Sequence, residues 1–370
     1  MRDKMESKQH LFSLTGNYEG LLYKDAKNSK EIYGDLTELM IIIGKSLVND
    51  KQREILRIDV PRLKEELILW RYYREGSIDC FLLNKDEKEE GSYVSTGIIS
   101  ILPLIIGNYD IETLDRELGI FACQTNQKTD NLVLFLLMGK VVHGVINQEY
   151  ARADSLVKIL KEYLIHLNYN RIFQEVSTEK RIDKISFEKE KIRWIIDLDR
   201  ISQKEIPRKK KIEGNSQILF IQSIHLFLKY HENKLIIDNI ETLDISLEAK
   251  VFTLLLMDLE KRKQVEGFYQ RIEKNGLSLG EKDFLNEMDR YFNKLVNFEI
   301  LKTPYNFEKY QNLEYIRTKE LFSMKQGEKG KHMILKEFEI KGKEMVKNCL
   351  MLEVKTKSRY YKLKKPLAQS

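Results

Sequence analysis

From about residue 10 to about residue 300, apolar positions recur at the three-to-four-residue interval of a helix face. His10 to Leu22 fits one helix, with Gly16 and Gly20 four apart, a spacing that lets a second helix or a ligand approach closely. Lys24 to Lys30 is a short polar loop. Asp35 to Val48 reads as the next helix, with acids and Thr37 in its first turn, where a helix tolerates anions and caps. Asp59-Val60-Pro61 opens another, in which Leu63, Leu67, Trp70 and Tyr73 share a face and Gly76 is the stop. Ser92 to Ile106 is mostly apolar and broken by Pro103.

Asn108 to Cys123 then carries a buried stripe of Leu114, Leu118 and Phe121, with Asp110 near its start. Asn131 to Asn147 is apolar on nearly every side, as expected of a helix at the centre of a bundle. Ala153 to Leu167 is amphipathic. Asn168 to Glu213 is charged and less regular, with one more helix expected around Trp194-Ile195-Ile196 and an exposed linker at 207–211. Ser216 to His231 and Leu247 to Lys261 are strong helices. Ser278 and Glu281 have capping-box spacing at the head of a helix reaching about Val296.

After Thr303-Pro304 the period changes. Glu337 to Ile340 alternates, and so in part does Cys349 to Lys355, with Lys341-Gly342-Lys343 as the expected turn between them. No strand–helix alternation precedes this, which argues against a parallel α/β sheet. The expected fold is all-α: a helical domain over residues 1–302 and a small, β-containing extension over residues 303–370, either a hairpin or three strands.

Charge adds one feature. The net charge is +6, yet Lys325 to Lys365 holds thirteen basic residues against five glutamates, so the rest of the chain sums to −2. Only the tail is a candidate for polyanion contact. There Arg359, Tyr360, Tyr361, Lys362, Lys364 and Lys365 interleave rings with cations, as a nucleic-acid strand would require. A solvated strand edge is the more ordinary account. Cys80, Cys123 and Cys349 are far apart and odd in number, which fits a reducing compartment. The charged first residues lack an apolar run of leader length, and the longest apolar stretches fall short of a membrane span, so a cytoplasmic protein is expected.

Several landmarks come in an order and spacing similar to the ADP-ribosylglycohydrolase family. Gly16-Asn17-Tyr18-Glu19-Gly20 resembles its Gly-Asp-x-x-Gly signature. Tyr33 to Met40 resembles its Thr-Asp-Asp-Thr-x-Met helix start. Trp70 to Gly76 resembles its Trp-Tyr-x-x-Gly segment. Ser95 to Leu104 stands where the family has Asn-Gly-Ser-x-Met-Arg-x-x-Pro-Leu, and Cys123-Gln124-Thr125-Asn126 where it has Leu-Thr-His. The resemblance implies an all-helical fold whose cleft holds two divalent ions and removes ADP-ribose from a modified acceptor.

Mg²⁺ or Mn²⁺ needs hard oxygen ligands in fixed geometry, and two such ions can hold a ribose diol and activate a water. Asp35 matches the family's first aspartate, but Gly34 and Leu36 stand where a threonine and the second aspartate ligate. Asn17 replaces an aspartate, Ser100 replaces an arginine, and Glu31 is the acid left near a shortened loop. The late motif falls on Glu241 to Ser246, where Asp244 and Ser246 are the remnants. Phe252, Leu254 and Leu255 follow where the family has small residues. The cleft candidates implied are thus Asn17, Glu31, Thr37, Ser100, Asn126, Asp244 and Ser246, with Asp35 the catalytic remnant.

The expectation is a catalytically impaired member that acts by binding, with no cofactor, or with Mg²⁺ or Mn²⁺ if activity persists. Its implied partners are an ADP-ribosyltransferase toxin, an ADP-ribosylated protein or an ADP-ribose-like ligand. The alternatives are an active, diverged ADP-ribosyl hydrolase, and a nucleic-acid binder acting through the tail. No membrane is implied.

Overall fold

The structure is a computed structural model, and it describes residues 35–73, 98–125, 127–147, 149, 153–178, 181–202, 216–230, 245, 247–261, 279–304, 315–357 and 360–366. The described residues are mostly helical, with a small antiparallel sheet near the C-terminus. They fall into two units, one within Met1–Ile58 and Ile78–Lys302, the other within Asp59–Ser77 and Thr303–Ser370.

In the first unit, α1 (Asp35–Lys45) leads into a hairpin of β1 (Leu47–Asp50) and β2 (Ile55–Ile58). A 3-10 turn (Ile98–Ile101) runs into α3 (Leu102–Gly107), followed by α4 (Ile111–Gln124), α5 (Thr129–Ile146), α6 (Ala153–His166) and the single turn α7 (Tyr169–Ile172). Then come α8 (Lys184–Ser202), α9 (Ser216–Tyr230), α10 (Leu247–Lys261) and α11 (Leu279–Val296). The second unit contains α2 (Val60–Tyr73), the single turn α12 (Thr318–Leu321), β3 (Lys329–His332), β4 (Lys336–Val346), β5 (Cys349–Thr356) and β6 (Tyr360–Pro366).

The helix that is apolar on every side is central. α5 packs against α3, α4, α6, α8, α9 and α10, so each of its faces meets a neighbour. It is also long and apolar enough to cross a membrane by length and composition, but 78% of that window is buried within the fold.

The expected helix from Asp35 to Val48 stops at Lys45, and Leu47 and Val48 belong to a strand instead. Long-range side chains explain the change. Asn108, at the C-terminal end of α3, accepts from Leu56 N–H (2.9 Å) and donates to Leu56 O (3.0 Å), taking the place of a third strand beside β2. Asn49 donates to Leu295 O and Ile300 O and accepts from Lys302 N–H, which fastens β1 to the end of α11. Gly44 is needed for close approach: a Cβ there would lie 2.2 Å from the Phe292 ring.

The expected boundary between residues 302 and 303 divides the described segments, but the helix after Asp59 groups with the C-terminal part. Leu69 of α2 shares a core with Leu321, Phe322, Leu335, Phe338, Ile340, Leu352, Val354 and Leu363. An isolated antiparallel sheet cannot bury one face by itself. α2 and α12 cover that face.

The sheet has four strands in the order β3-β4-β5-β6, not the two or three expected. The turn lies elsewhere too. Lys341-Gly342-Lys343 is mid-strand, where the pairing slips by one residue between Ile340 and Gly342. The chain reverses at Lys347-Asn348, whose φ values of 45° and 60° suit a two-residue hairpin loop.

Candidate functional site

The residues implied by the family resemblance divide between described and undescribed parts. Asp35 is the first residue of α1 and Thr37 lies in its first turn, the position expected of a helix-start acid and hydroxyl. Their side chains are outside the described set, as are Asn17, Glu31, Asn126, Asp244, Ser246 and Arg359. Ser100 is fully buried on the 3-10 turn that packs against α1, and its Oγ has no hydrogen-bond partner among the described residues.

α10, which would follow the late motif, presents Phe252, Leu255, Leu256 and Leu259 as buried side chains. The Phe252 ring lies 6.3 Å from that of Phe220 on α9, and Thr253 Oγ1 donates to Ala249 O at 2.8 Å and to Ser223 O at 3.3 Å. Among the described residues, no group of three or more His, Cys, Asp or Glu side chains is placed to hold a metal ion.

Beside Cys123, where the family's Leu-Thr-His motif would fall, lies an open depression of about 380 Å³. Gln127, Lys128, Arg181 and Asp183 are among its lining residues. Burial pushes the Cys123 thiol up, which keeps it protonated and a poor nucleophile. Thr125 is also occupied, donating to Phe121 O at 2.8 Å.

The strongest electrostatic feature of the helical unit lies on α4 and escaped the sequence reading. Asp115 and Glu117 look like ordinary polar positions of an amphipathic helix, yet both are buried. Asp115 Oδ1 accepts from Tyr163 Oη of α6 at 2.5 Å, and Oδ2 lies 3.8 Å from the Arg171 guanidinium of α7. Burial pushes the Asp115 carboxyl up to about 7 against the pull of Tyr163 and Arg171. Burial and the neighbouring Asp115 charge hold the Tyr163 hydroxyl well above its ordinary range.

Two residues on, Glu117 accepts from Arg57 Nε of β2 at 2.9 Å. Arg57 also reaches Glu175 at 2.9 Å, and Glu175 takes a second cation, Arg53. Burial raises the Glu117 carboxyl to about 7, with Arg57 opposing. This row of acids therefore ties α4 to three other elements: α6, α7 and β2.

A second open depression, about 250 Å³, adjoins this cluster and is lined by Lys140, Glu162, Tyr163, His166 and Arg171, with Ile159 and Leu167. Its cations are already engaged: Lys140 with Glu149 (2.6 Å) and Arg171 with Glu112 (2.6 Å). Asp115 has a side-chain exposure of 1%, so it has no solvent-facing oxygen for a substrate proton. The arrangement holds protons inside the fold and joins helices.

In the sheet unit, Thr318, His332 and Glu66 are all buried and have the residue types of a nucleophile, a base and an acid. The hydrogen bonds exclude that use. His332 Nδ1 accepts from Ile334 and Leu335 N–H (3.1 and 3.2 Å), so in the neutral ring the proton is on Nε2, which donates to Thr318 Oγ1 at 3.0 Å. A ring already protonated on that side cannot take the threonine's proton. Burial lowers the His332 pKa to about 4, which keeps the ring neutral as the turn between β3 and β4 requires.

The described residues among the tail candidates for nucleic acid do not share one surface. Because β6 alternates, Tyr361 and Leu363 fall on the packed side, where Tyr361 meets the Tyr73 ring edge-on at 5.7 Å. Lys365 falls on that side as well, its Nζ 5.6 Å from the Phe322 ring. On the opposite side Lys355 sits over Tyr360, Lys362 is opposite Glu353, and Lys355 is also opposite Glu339. That face is a lattice of alternating signs and not a cationic track.

Comparison with protein-family models, curated proteins and solved structures gives no match.

Proposed function

We propose that the chain is a catalytically impaired ADP-ribosylglycohydrolase-like protein that acts by binding. Its partner is a protein of an ADP-ribosylation system, such as an ADP-ribosyltransferase toxin or an ADP-ribosylated protein. The observation that carries this reading is α10, where Phe252, Leu255 and Leu256 are packed as core against α9 at the place where the resemblance calls for small residues lining a cleft. The Gly34 and Leu36 positions point the same way, because neither side chain offers an oxygen to a divalent ion.

Binding without turnover gives a direct test. ADP-ribosylated protein should bind with an affinity indifferent to Mg²⁺ or Mn²⁺, and no ADP-ribose should be released from modified arginine, serine or DNA. Metal-dependent release that Asp35→Ala abolishes would make the chain an active, diverged hydrolase and overturn the proposal.

A further inference from the structure

The β4–β5 hairpin ends in a tip that is apolar on both of its faces. β4 pairs with β3 only as far as Glu339, so its last residues have β5 as their one strand partner among the described strands. The three rows of paired residues nearest the turn are Glu344–Met351–Lys364, Met345–Leu350–Lys365 and Val346–Cys349–Pro366. Met345 and Val346 are 59% and 42% exposed. Side chains alternate along a strand, so Met345 and Leu350 point to the packed side of the sheet and Val346, Cys349 and Met351 to the other. On α8, by contrast, the exposed Ile185, Ile192 and Ile196 line one side of a helix. Lys343 holds the base of the hairpin, donating to Phe322 O and Met324 O, both at 2.9 Å.

Cations collect at the same end. Lys364 and Lys365 stand in the last rows on β6 and Lys347 in the turn, against Glu344 alone. The other four glutamates of residues 325–365, which are Glu328, Glu337, Glu339 and Glu353, lie further from the turn.

We propose that this tip docks on the surface of an anionic membrane, with Met345 and Val346 dipping below the headgroups and the lysines meeting lipid phosphates and carboxylates. The two-sided apolar character and the charge choose the occupant together. A protein covering both faces would need a slot matched to the hairpin, whereas a bilayer surrounds a narrow tip without one. A nucleic acid would satisfy the lysines and leave Met345 and Val346 in water. The exposed Lys347-Asn348 turn keeps the insertion shallow, within the roughly 5–10 Å that interfacial segments reach. The long Lys347 stem can carry its ammonium back to the phosphates. The apolar area is small and the lysines few, so binding needs both negative lipid and apolar contact.

The test is flotation of the full chain with vesicles of phosphatidylcholine containing about one-third phosphatidylserine, set against phosphatidylcholine alone. The chain should float with the anionic vesicles only, and about 0.5 M salt should weaken the association. Met345→Asp with Val346→Asp should weaken it at least ~10-fold with an unchanged circular dichroism spectrum. Lys347→Gln should weaken it ~5-fold and stays informative if the double aspartate variant misfolds. A tryptophan introduced as Val346→Trp should be quenched by lipids brominated in their acyl chains, while the buried Trp70 and Trp194 should not. A chain that fails to float with anionic vesicles overturns the proposal, and so does equal binding to phosphatidylcholine. Anionic-vesicle binding that survives the double aspartate change, or a Val346→Trp signal that acyl-chain bromine leaves untouched, would place the contact elsewhere and overturn it too.

Discussion

The helical unit and the sheet unit use the same charged residues in opposite ways. On α4, Asp115 and Glu117 are taken out of water and held by a few well-placed partners, and burial raises both to about 7. On the outer face of the sheet, acids and lysines alternate in solvent. There Lys341 lowers the Glu339 carboxyl by direct hydrogen bonding, against a smaller opposing effect of burial. A buried ionic contact fixes where elements sit, because removing one partner strands the other in a poor medium. An exposed one contributes little to stability and mainly keeps the sheet soluble.

The largest expected effect follows from the buried side. Arg57→Ala leaves Glu117, 4% exposed, without its cation and should destabilise the helical unit by about 3 kcal/mol above pH 7, where the carboxyl is ionised, and by less at lower pH, where it takes up a proton instead. Arg57 is itself one-third exposed, which keeps the figure at the lower end of the range for buried pairs. Chemical denaturation of Arg57→Ala, Glu117→Gln and the double variant measures it. If the double variant is as unstable as Arg57→Ala alone, the cost is lost packing and not the stranded charge.

Next in size is pH dependence, and here the two units should oppose each other. A carboxyl raised from its unfolded value stabilises the fold while protonated, so Asp115 and Glu117 make the helical unit lose stability as pH rises from about 4 to 7. His332 is lowered instead. The unfolded chain takes up the proton first, so the sheet unit loses stability as pH falls from its ordinary value of 6.5 towards 4. Between pH 7 and 4.5 each shift corresponds to roughly 2 kcal/mol, of opposite sign.

The chain's two tryptophans can report this separately, since Trp194 lies in the helical unit and Trp70 in the sheet unit. Trp194→Phe costs packing but no hydrogen bond, because the buried Nε1 of Trp194 has no partner among the described residues. Single-tryptophan variants should show midpoints moving in opposite directions with pH, and Asp115→Asn should flatten the Trp194-reported slope. Parallel movement would break the comparison.

Much of the helical unit was legible because its signals are local. The all-round apolar run of α5 and the stripe of Leu114, Leu118 and Phe121 on α4 need no distant partner to interpret. The β1–β2 hairpin was not, because Leu47 and Val48 continue the apolar run of α1. What ends the helix there is held by Asn49 and Asn108, whose partners lie far along the chain. The acids of α4 escaped for the same reason: Tyr163, Arg171 and Arg57 bury them from 48, 56 and 60 residues away. α8 looked irregular because its apolar residues serve two faces at once. The hairpin turn was misplaced because Gly342 marks a slip in pairing, while the real turn rests on left-handed backbone at Lys347 and Asn348.

The smallest expected effect separates the two kinds of charge most cleanly. Lys362 faces solvent on β6 directly opposite Glu353 of β5. Its loss removes one of several alternating contacts, and Glu353 remains hydrated, so no charge is stranded. Lys362→Ala should shift the Trp70-reported midpoint by less than ~0.5 kcal/mol, and salt should erase even that. The edge position matters in another way. Among the described strands β6 is an outer one, and lysines along an edge strand oppose strand addition by a second chain. Replacing Lys362 and Lys364 together should leave the folded state almost as stable while raising its tendency to aggregate, measured by light scattering near the unfolding midpoint. A large loss of folded stability with unchanged scattering would mean that these lysines hold the sheet together, and the contrast with Arg57 would fail.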